Sequence, residues 1–159
     1  MKVVDFLSPD AIIPALTGST KTAVLAELSA FLAERQAAER GQGTVDSQVL
    51  CRALEERELL ASTAIGDGIA IPHAKLDSID KLVSALGRSV PGLTFDSIDG
   101  KPTHLVFMLV APSNSAGVHL KALARLSRLF RDADFRQRLL DAPDSATMYQ
   151  VIAEEDGKY

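Results

Sequence analysis

Apolar residues recur at helical spacing in three long stretches of the chain. In residues 20–38, Ala23, Val24, Leu28, Phe31 and Leu32 share one face, and Ser19 or Thr20 is available to cap the start, so the pattern predicts an amphipathic helix. A second helix is expected over 46–60 with Val49, Leu50, Ala53 and Leu54 on its face, the first being closed by Gly41 and Gly43. A third is expected over 118–130 on Leu120, Leu123, Leu126, Leu129 and Phe130, with shorter helices over 133–140 and 145–153. Between them the period changes. Residues 103–111 are apolar without alternation, the signature of a strand covered on both faces. Further strand signals lie in 11–16, where Pro14 restricts the segment to an edge, in 81–90, in 93–95 after Pro91-Gly92, and in 69–71. Asp99-Gly100 marks a turn and 112–117 a loop.

Strands that cluster mid-chain, flanked by helices on either side in sequence, predict an α/β fold with three layers, helix, sheet and helix, around a mixed central sheet. Strict βαβ alternation is absent, and the glycines at 66 and 68 lack the third glycine and following helix of a dinucleotide fingerprint. With 159 residues and 47% hydrophobic content the chain can remove roughly 70% of its unfolded surface from water, so a single domain over 1–159 is expected.

The charge balance, 17 basic against 21 acidic residues for a net −4, offers no overall basic footprint for nucleic acid. No segment approaches the ~20 apolar residues of a membrane span, and no signal-peptide core forms ahead of Asp5 and Pro9, so a cytoplasmic location without membrane insertion is expected. Cys51 is the only cysteine, which excludes an internal disulfide and suits a small filler on a helix.

The chemistry centres on His73. It follows Pro72, whose fixed φ and missing N–H are expected to end the 69–71 strand, so the imidazole would project from a strand terminus at a rim. An imidazole there suits either a neutral nucleophile or a metal ligand. Arg57, near the end of the second helix, and His119, in the first turn of the third, are the residues best suited to join it around an anion. A guanidinium fork matches phosphate geometry, and a helix start favours negative charge. The residues alone leave plainer readings open, with Arg57 a solvated charge and His119 an exposed first-turn side chain. His104 reads as a strand-end histidine without a catalytic role, Lys75 as an exposed lysine and Asp67 as a turn residue. The histidines are isolated, without the i, i+4 pair common in zinc sites, and no Gly-x-Ser-x-Gly elbow is present.

Ser62 through Lys75 (STAIGDGIAIPHAK) resembles the phosphohistidine motif of enzyme IIA domains of the phosphoenolpyruvate-dependent sugar phosphotransferase system, in the mannitol, fructose and nitrogen-regulatory class. Val118 through Leu129 is similar to the helix that carries that family's second active-site histidine, and Arg57-Glu58 to its arginine-bearing helix end. Phe6-Leu7-Ser8-Pro9 and the helix after Thr20 extend the resemblance over essentially the whole chain. Ala74 departs from it, standing where the family often has glycine, with some restriction expected of the loop after His73.

The resemblance implies a phosphotransferase in which His73 accepts a phosphoryl group from a small histidine phosphocarrier protein, while His119 and Arg57 stabilise the phosphorylated state. It implies no cofactor or metal. A chain of one domain opening on Phe6-Leu7-Ser8-Pro9 looks most like the nitrogen-regulatory type, which signals to regulatory target proteins through its phosphorylation state. The alternatives are a sugar-specific IIA that passes phosphate to a IIB domain, and a binding regulator without phosphate relay.

Overall fold

The non-alternating run at the centre of the sequence becomes the middle of a mixed sheet. A computed structural model describes residues 1–38 and 44–159. After a 3-10 turn at Val3–Asp5, the elements in order are β1 (Ile12–Ile13), α1 (Lys21–Ala37), α2 (Ser47–Leu60), β2 (Ala64–Gly66), β3 (Ile69–Ala70), β4 (His73–Leu76), β5 (Val83–Leu93), β6 (Thr103–Pro112), α3 (Ala116–Phe130), α4 (Ala133–Asp141) and α5 (Ser145–Asp156). The strands lie in the order β1-β5-β6-β3-β2, and β4 follows β3 along the same flank of β6. β1/β5, β3/β6 and β4/β6 are parallel, whereas β5/β6 and β2/β3 are antiparallel.

β6 shows why its sequence does not alternate. Leu105, Phe107 and Leu109 pack under α3, α4 and α5, while Val106, Met108 and Val110 pack under α1 and α2, so both pleat faces are buried. The expected helix, sheet, helix layering is what forms. On the α3–α5 side, Phe107 stands edge-on to Phe6 and Phe130, with ring centroids 6.3 and 6.2 Å away. Each fully buried side chain of this kind contributes roughly 1.5–3 kcal/mol through area removed from water.

Local signals explain most boundaries. Thr20 caps α1 by accepting from the Ala23 amide, Asp46 caps α2, Asp132 caps α4 and Asp144 caps α5. The expected edge strand is confined to Ile12–Ile13, and the carbonyl of Pro14 accepts instead from the buried Arg88 Nε at 2.9 Å. Gly41 and Gly43, expected to close α1, lie outside the described residues.

Four details differ from the sequence reading. Pro72 interrupts the pairing without ending it: β3 stops at Ala70 and β4 begins at His73 in the register that β3 held against β6, because the Pro72 carbonyl still accepts from the Leu109 amide at 2.9 Å and only the proline's own donor is missing. Ala74 consequently sits in a strand rather than a loop, buried beneath α2. Pro91-Gly92 does not divide β5, since Gly92 at φ 84 carries the strand through a register shift between Arg88 and Leu93. Val49 and Leu120, assigned above to buried helix faces, are exposed. On α3 the inward stripe is instead His119, Ala122, Leu126, Leu129 and Phe130, which is the better helical spacing. Among the described residues, no helix is long and apolar enough to cross a membrane.

Candidate active site

His73 is presented by a hairpin and a broken strand. Gly66, Asp67 and Gly68 all have positive φ (92, 57 and 79°), and the two-residue loop Asp67-Gly68 joins β2 to β3 in the manner of a type I′ turn. Asp67 is thus the turn residue expected of it, its amide donating to Asp99 at 3.1 Å. From β3 onward the pleat alternates through Pro72. Ile69 and Ile71 face the α3–α5 layer, Ala70, Ala74 and Leu76 face α1 and α2, and His73 falls on the side of the former.

There it meets His119. The two rings are 5.3 Å apart and steeply inclined at 71°. An open cleft of about 490 Å³ is lined by Ala53, Glu56, Arg57 and Leu60 of α2, by His73, Ala74 and Lys75 of β4, and by His119 of α3. The three residues singled out in the sequence are therefore brought together, although they come from three elements. His104 is not among them: it sits toward the other end of β6 and its Nδ1 bonds the Ser89 carbonyl across to β5 at 3.0 Å. Lys75 is exposed as expected, yet it lines the cleft.

The half-buried His73 has a defined tautomer. Its Nδ1 lies 2.8 Å from the Ile71 carbonyl oxygen. A carbonyl only accepts, so Nδ1 carries the proton and Nε2 keeps a free lone pair. Burial lowers the His73 pKa, the bond to Ile71 raises it, the Arg57 charge lowers it and the Glu58 charge raises it, with the net effect downward. The ring is thus neutral, and its Nε2 nucleophilic, over a wider pH range than a free histidine.

His119 is 6% exposed and its Nε2 is buried without a hydrogen-bond partner among the described residues. Burial, followed by the His73 and Lys75 charges, takes its pKa down to about 4. The plainer reading of His119 as an exposed side chain is not what forms. α3 begins at Ala116, so the His119 amide already bonds the Ser115 carbonyl at 2.9 Å and the side chain begins the buried stripe. Arg57 lies in the last turn of α2, where its Nη1 donates to the Ala61 carbonyl at 2.9 Å. That bond satisfies one of the helix's terminal carbonyls and holds the guanidinium at the cleft wall.

Two features escaped the sequence reading. Leu60 is 82% exposed at the lip of the cleft, beside the equally exposed Leu59. Glu58, by contrast, turns inward and accepts from both the amide and hydroxyl of Thr63. A lone leucine pair after a run of charges carries no clear periodic signal, and a carboxylate five residues before a threonine carries none. Chemically, a neutral imidazole with a free Nε2, a second neutral imidazole and a fixed guanidinium around one cleft suit nucleophilic acceptance of an anionic group.

Comparison with known proteins agrees with this chemistry. The chain is 40% identical over 153 residues to a nitrogen regulatory protein of Bradyrhizobium diazoefficiens, spanning 96% of this chain and 95% of that one. It is 42% identical over 109 residues to the PTS system fructose-specific EIIA component of Haloferax volcanii, spanning 69% of this chain and 71% of that one. The crystal structure of nitrogen regulatory protein IIA-Ntr from Neisseria meningitidis superposes with a TM-score of 0.84 at 25% identity, over 94% of this chain and 98% of that chain. Residues 5–155 match the family model described as phosphoenolpyruvate-dependent sugar phosphotransferase system, EIIA 2, and the chain belongs to that family of phosphohistidine-forming phosphotransferases.

Proposed function

We propose that His73 is the phosphoryl acceptor, loaded by a small histidine phosphocarrier protein in the cytoplasm, and that the 1–159 chain acts as one regulatory domain whose phosphorylation state is its signal. The observation that carries this reading is the hydrogen bond from His73 Nδ1 to the Ile71 carbonyl, which leaves Nε2 as the free lone pair in a cleft also lined by Arg57 and His119.

Nε2 attacks the phosphorus of the carrier's phosphohistidine. The new N–P bond forms as the donor's N–P bond breaks, and the donor imidazole leaves with that electron pair. The His73 ring keeps its Nδ1 proton and takes on positive charge. Such a transfer passes through a loose, highly charged transition state, so positioning and charge stabilisation dominate its catalysis. Arg57 offers two donors to the equatorial oxygens. His119, neutral at cellular pH because burial lowers its pKa to about 4, offers a ring N–H without adding a repelled cation beside His73. The exposed Leu59 and Leu60 supply an apolar lip on which a carrier can dock.

The regulatory reading draws on the near full-length similarity to the Bradyrhizobium nitrogen regulatory protein. The similarity to a fructose-specific EIIA component supports the alternative, transfer onward to a IIB domain. Incubation with phosphoenolpyruvate, enzyme I and the phosphocarrier should label wild type and leave His73→Ala unlabelled. A labelled mutant means that another residue is the acceptor. The labelled protein, offered to a sugar-specific IIB domain, should keep its phosphate; rapid transfer would replace the regulatory reading with the sugar-transport one.

A further inference from the structure

Arg57 and Glu58 are adjacent on the last turn of α2 and do opposite things. Arg57 lines the cleft, while the Glu58 side chain is only 5% exposed. Its carboxylate accepts the Thr63 amide at 2.9 and 3.2 Å and also the Thr63 hydroxyl. Thr63 passes the constraint on, because its carbonyl accepts the Ile71 amide at 3.0 Å. The Ile71 carbonyl in turn accepts the Nδ1 proton of His73 at 2.8 Å. A continuous path of hydrogen bonds therefore joins Glu58 to the nitrogen opposite the free lone pair of His73. Thr63 is buried, so its amide has no solvent to replace the carboxylate.

The charge matters as well as the bonds. When Nε2 of a neutral imidazole takes a phosphoryl group the ring becomes cationic, while the phosphoryl oxygens bring negative charge to the other side. Neighbouring charges of opposite sign on adjacent residues meet both needs: Arg57 lines the cleft that would hold the oxygens, and the Glu58 carboxylate, turned to Thr63, acts on the ring by its charge. Among the described residues, the charged and titratable groups around His73 are Arg57 and Glu56 from α2, Lys75 from β4 and His119 from α3, which share its cleft, with Glu58 acting from α2's last turn. Lys21, at the start of α1, faces Glu58 with Nζ 3.6 Å from Oε2 and is shared with Asp96 at 3.3 Å. Of these groups, Glu58 is the one that raises the proton affinity of His73, opposing Arg57.

We infer that Glu58 is a positioning residue for phosphoryl transfer: through Thr63 and Ile71 it holds His73 in the Nδ1–H tautomer, and its carboxylate offsets the positive charge the ring acquires when Nε2 is phosphorylated. The inference rests on His73 being the acceptor.

Glu58→Gln removes the charge and keeps an acceptor oxygen of the same reach. Thr63→Val removes the hydroxyl bond and keeps both the amide and the charge. Both are compared with wild type in single-turnover transfer from purified phosphorylated histidine phosphocarrier protein across pH 5–8, with the His73 ring followed by 15N NMR. Glu58→Gln should slow transfer about tenfold, equivalent to about 1.4 kcal/mol of transition-state stabilisation. It should also move the acid limb of the rate profile and the His73 titration to lower pH, and admit the Nε2–H tautomer. Thr63→Val should loosen the tautomer preference while leaving that acid limb in place. A Glu58→Gln protein with the wild-type rate and titration overturns the inference. So does one that is slower with an unchanged His73 titration and tautomer, since that describes a merely structural residue. His73→Ala distinguishes the two levels: retained label overturns the acceptor assignment, whereas lost label beside wild-type behaviour of Glu58→Gln overturns only the role of Glu58.

Discussion

Acidification from pH 7 to pH 5 should cost this protein about 2 kcal/mol of folding free energy through His119 alone. The side chain is 6% exposed, and burial, reinforced by the charges of His73 and Lys75, lowers its pKa from 6.5 to about 4. Between those values the unfolded chain binds a proton that the folded one refuses. The stability held by the neutral ring is therefore complete above the unfolded pKa and drains away as pH falls toward the folded one. At about 1.36 kcal/mol for each pH unit of difference, linkage gives about 2 kcal/mol lost by pH 5 and about 3 kcal/mol once pH is below both values.

Three carboxylates with lowered pKa values act below this window. Asp99, Asp132 and Asp144 have pKa values lowered chiefly by bonds from the Lys101 amide, the Phe135 amide and the Thr147 hydroxyl, so their stabilising contributions are lost only nearer and below the ordinary carboxylate value. His73 shifts in the same direction as His119, mainly through burial, and adds to the slope. The comparison is therefore between wild type and His119→Asn, which cannot titrate, by urea unfolding at pH 7, 6 and 5. The stability difference between the two proteins should change by about 2 kcal/mol across the series, roughly a 1 M movement in relative midpoint for a typical urea slope. Parallel pH dependences would refute the reasoning, because they would mean that His119 binds its proton equally in both states.

Two further outcomes are expected. Gly92→Ala places a side chain at φ 84, with its Cβ 2.8 Å from His104 Cε1 and 3.0 Å from Pro102 Cβ, and should destabilise by about 1–3 kcal/mol in thermal or urea unfolding without altering phosphorylation. Arg57→Ala should keep the fold, since the Ala61 carbonyl it bonds is near solvent, yet slow phosphoryl transfer and shorten the phosphohistidine lifetime by about tenfold each; unchanged values in a transfer and hydrolysis assay would reduce Arg57 to a helix cap.

What the sequence made legible divides along physical lines. Burial on both faces leaves a direct mark, and the unbroken apolar run that became β6 was enough to predict a sheet between two helical layers. The stripe His119, Ala122, Leu126, Leu129 was equally readable, but counting Leu120 as buried hid it and left His119 on the surface. The Asp67-Gly68 dipeptide was a hairpin signal whose first strand, β2, went unread because Ala64–Gly66 is too short to show a period.

Pro72 misled for a different reason. Proline removes a donor, and the sequence does not reveal whether the ladder needs that donor; here the carbonyl bond to Leu109 keeps the register and pairing resumes at His73. The error changes the chemistry as well as the topology. A histidine at a free strand end would have a mobile ring and either tautomer, whereas the ring of His73, the first residue of β4, is held close to the Ile71 carbonyl two residues before it. The feature that leaves Nε2 as the free lone pair is thus the Ile71 carbonyl, which Glu58, upstream of the motif, reaches through Thr63. A motif can name the candidate acceptor, but which of its nitrogens is left free depends on a backbone carbonyl two residues before it and, in the role inferred above for Glu58, on a carboxylate fifteen positions upstream.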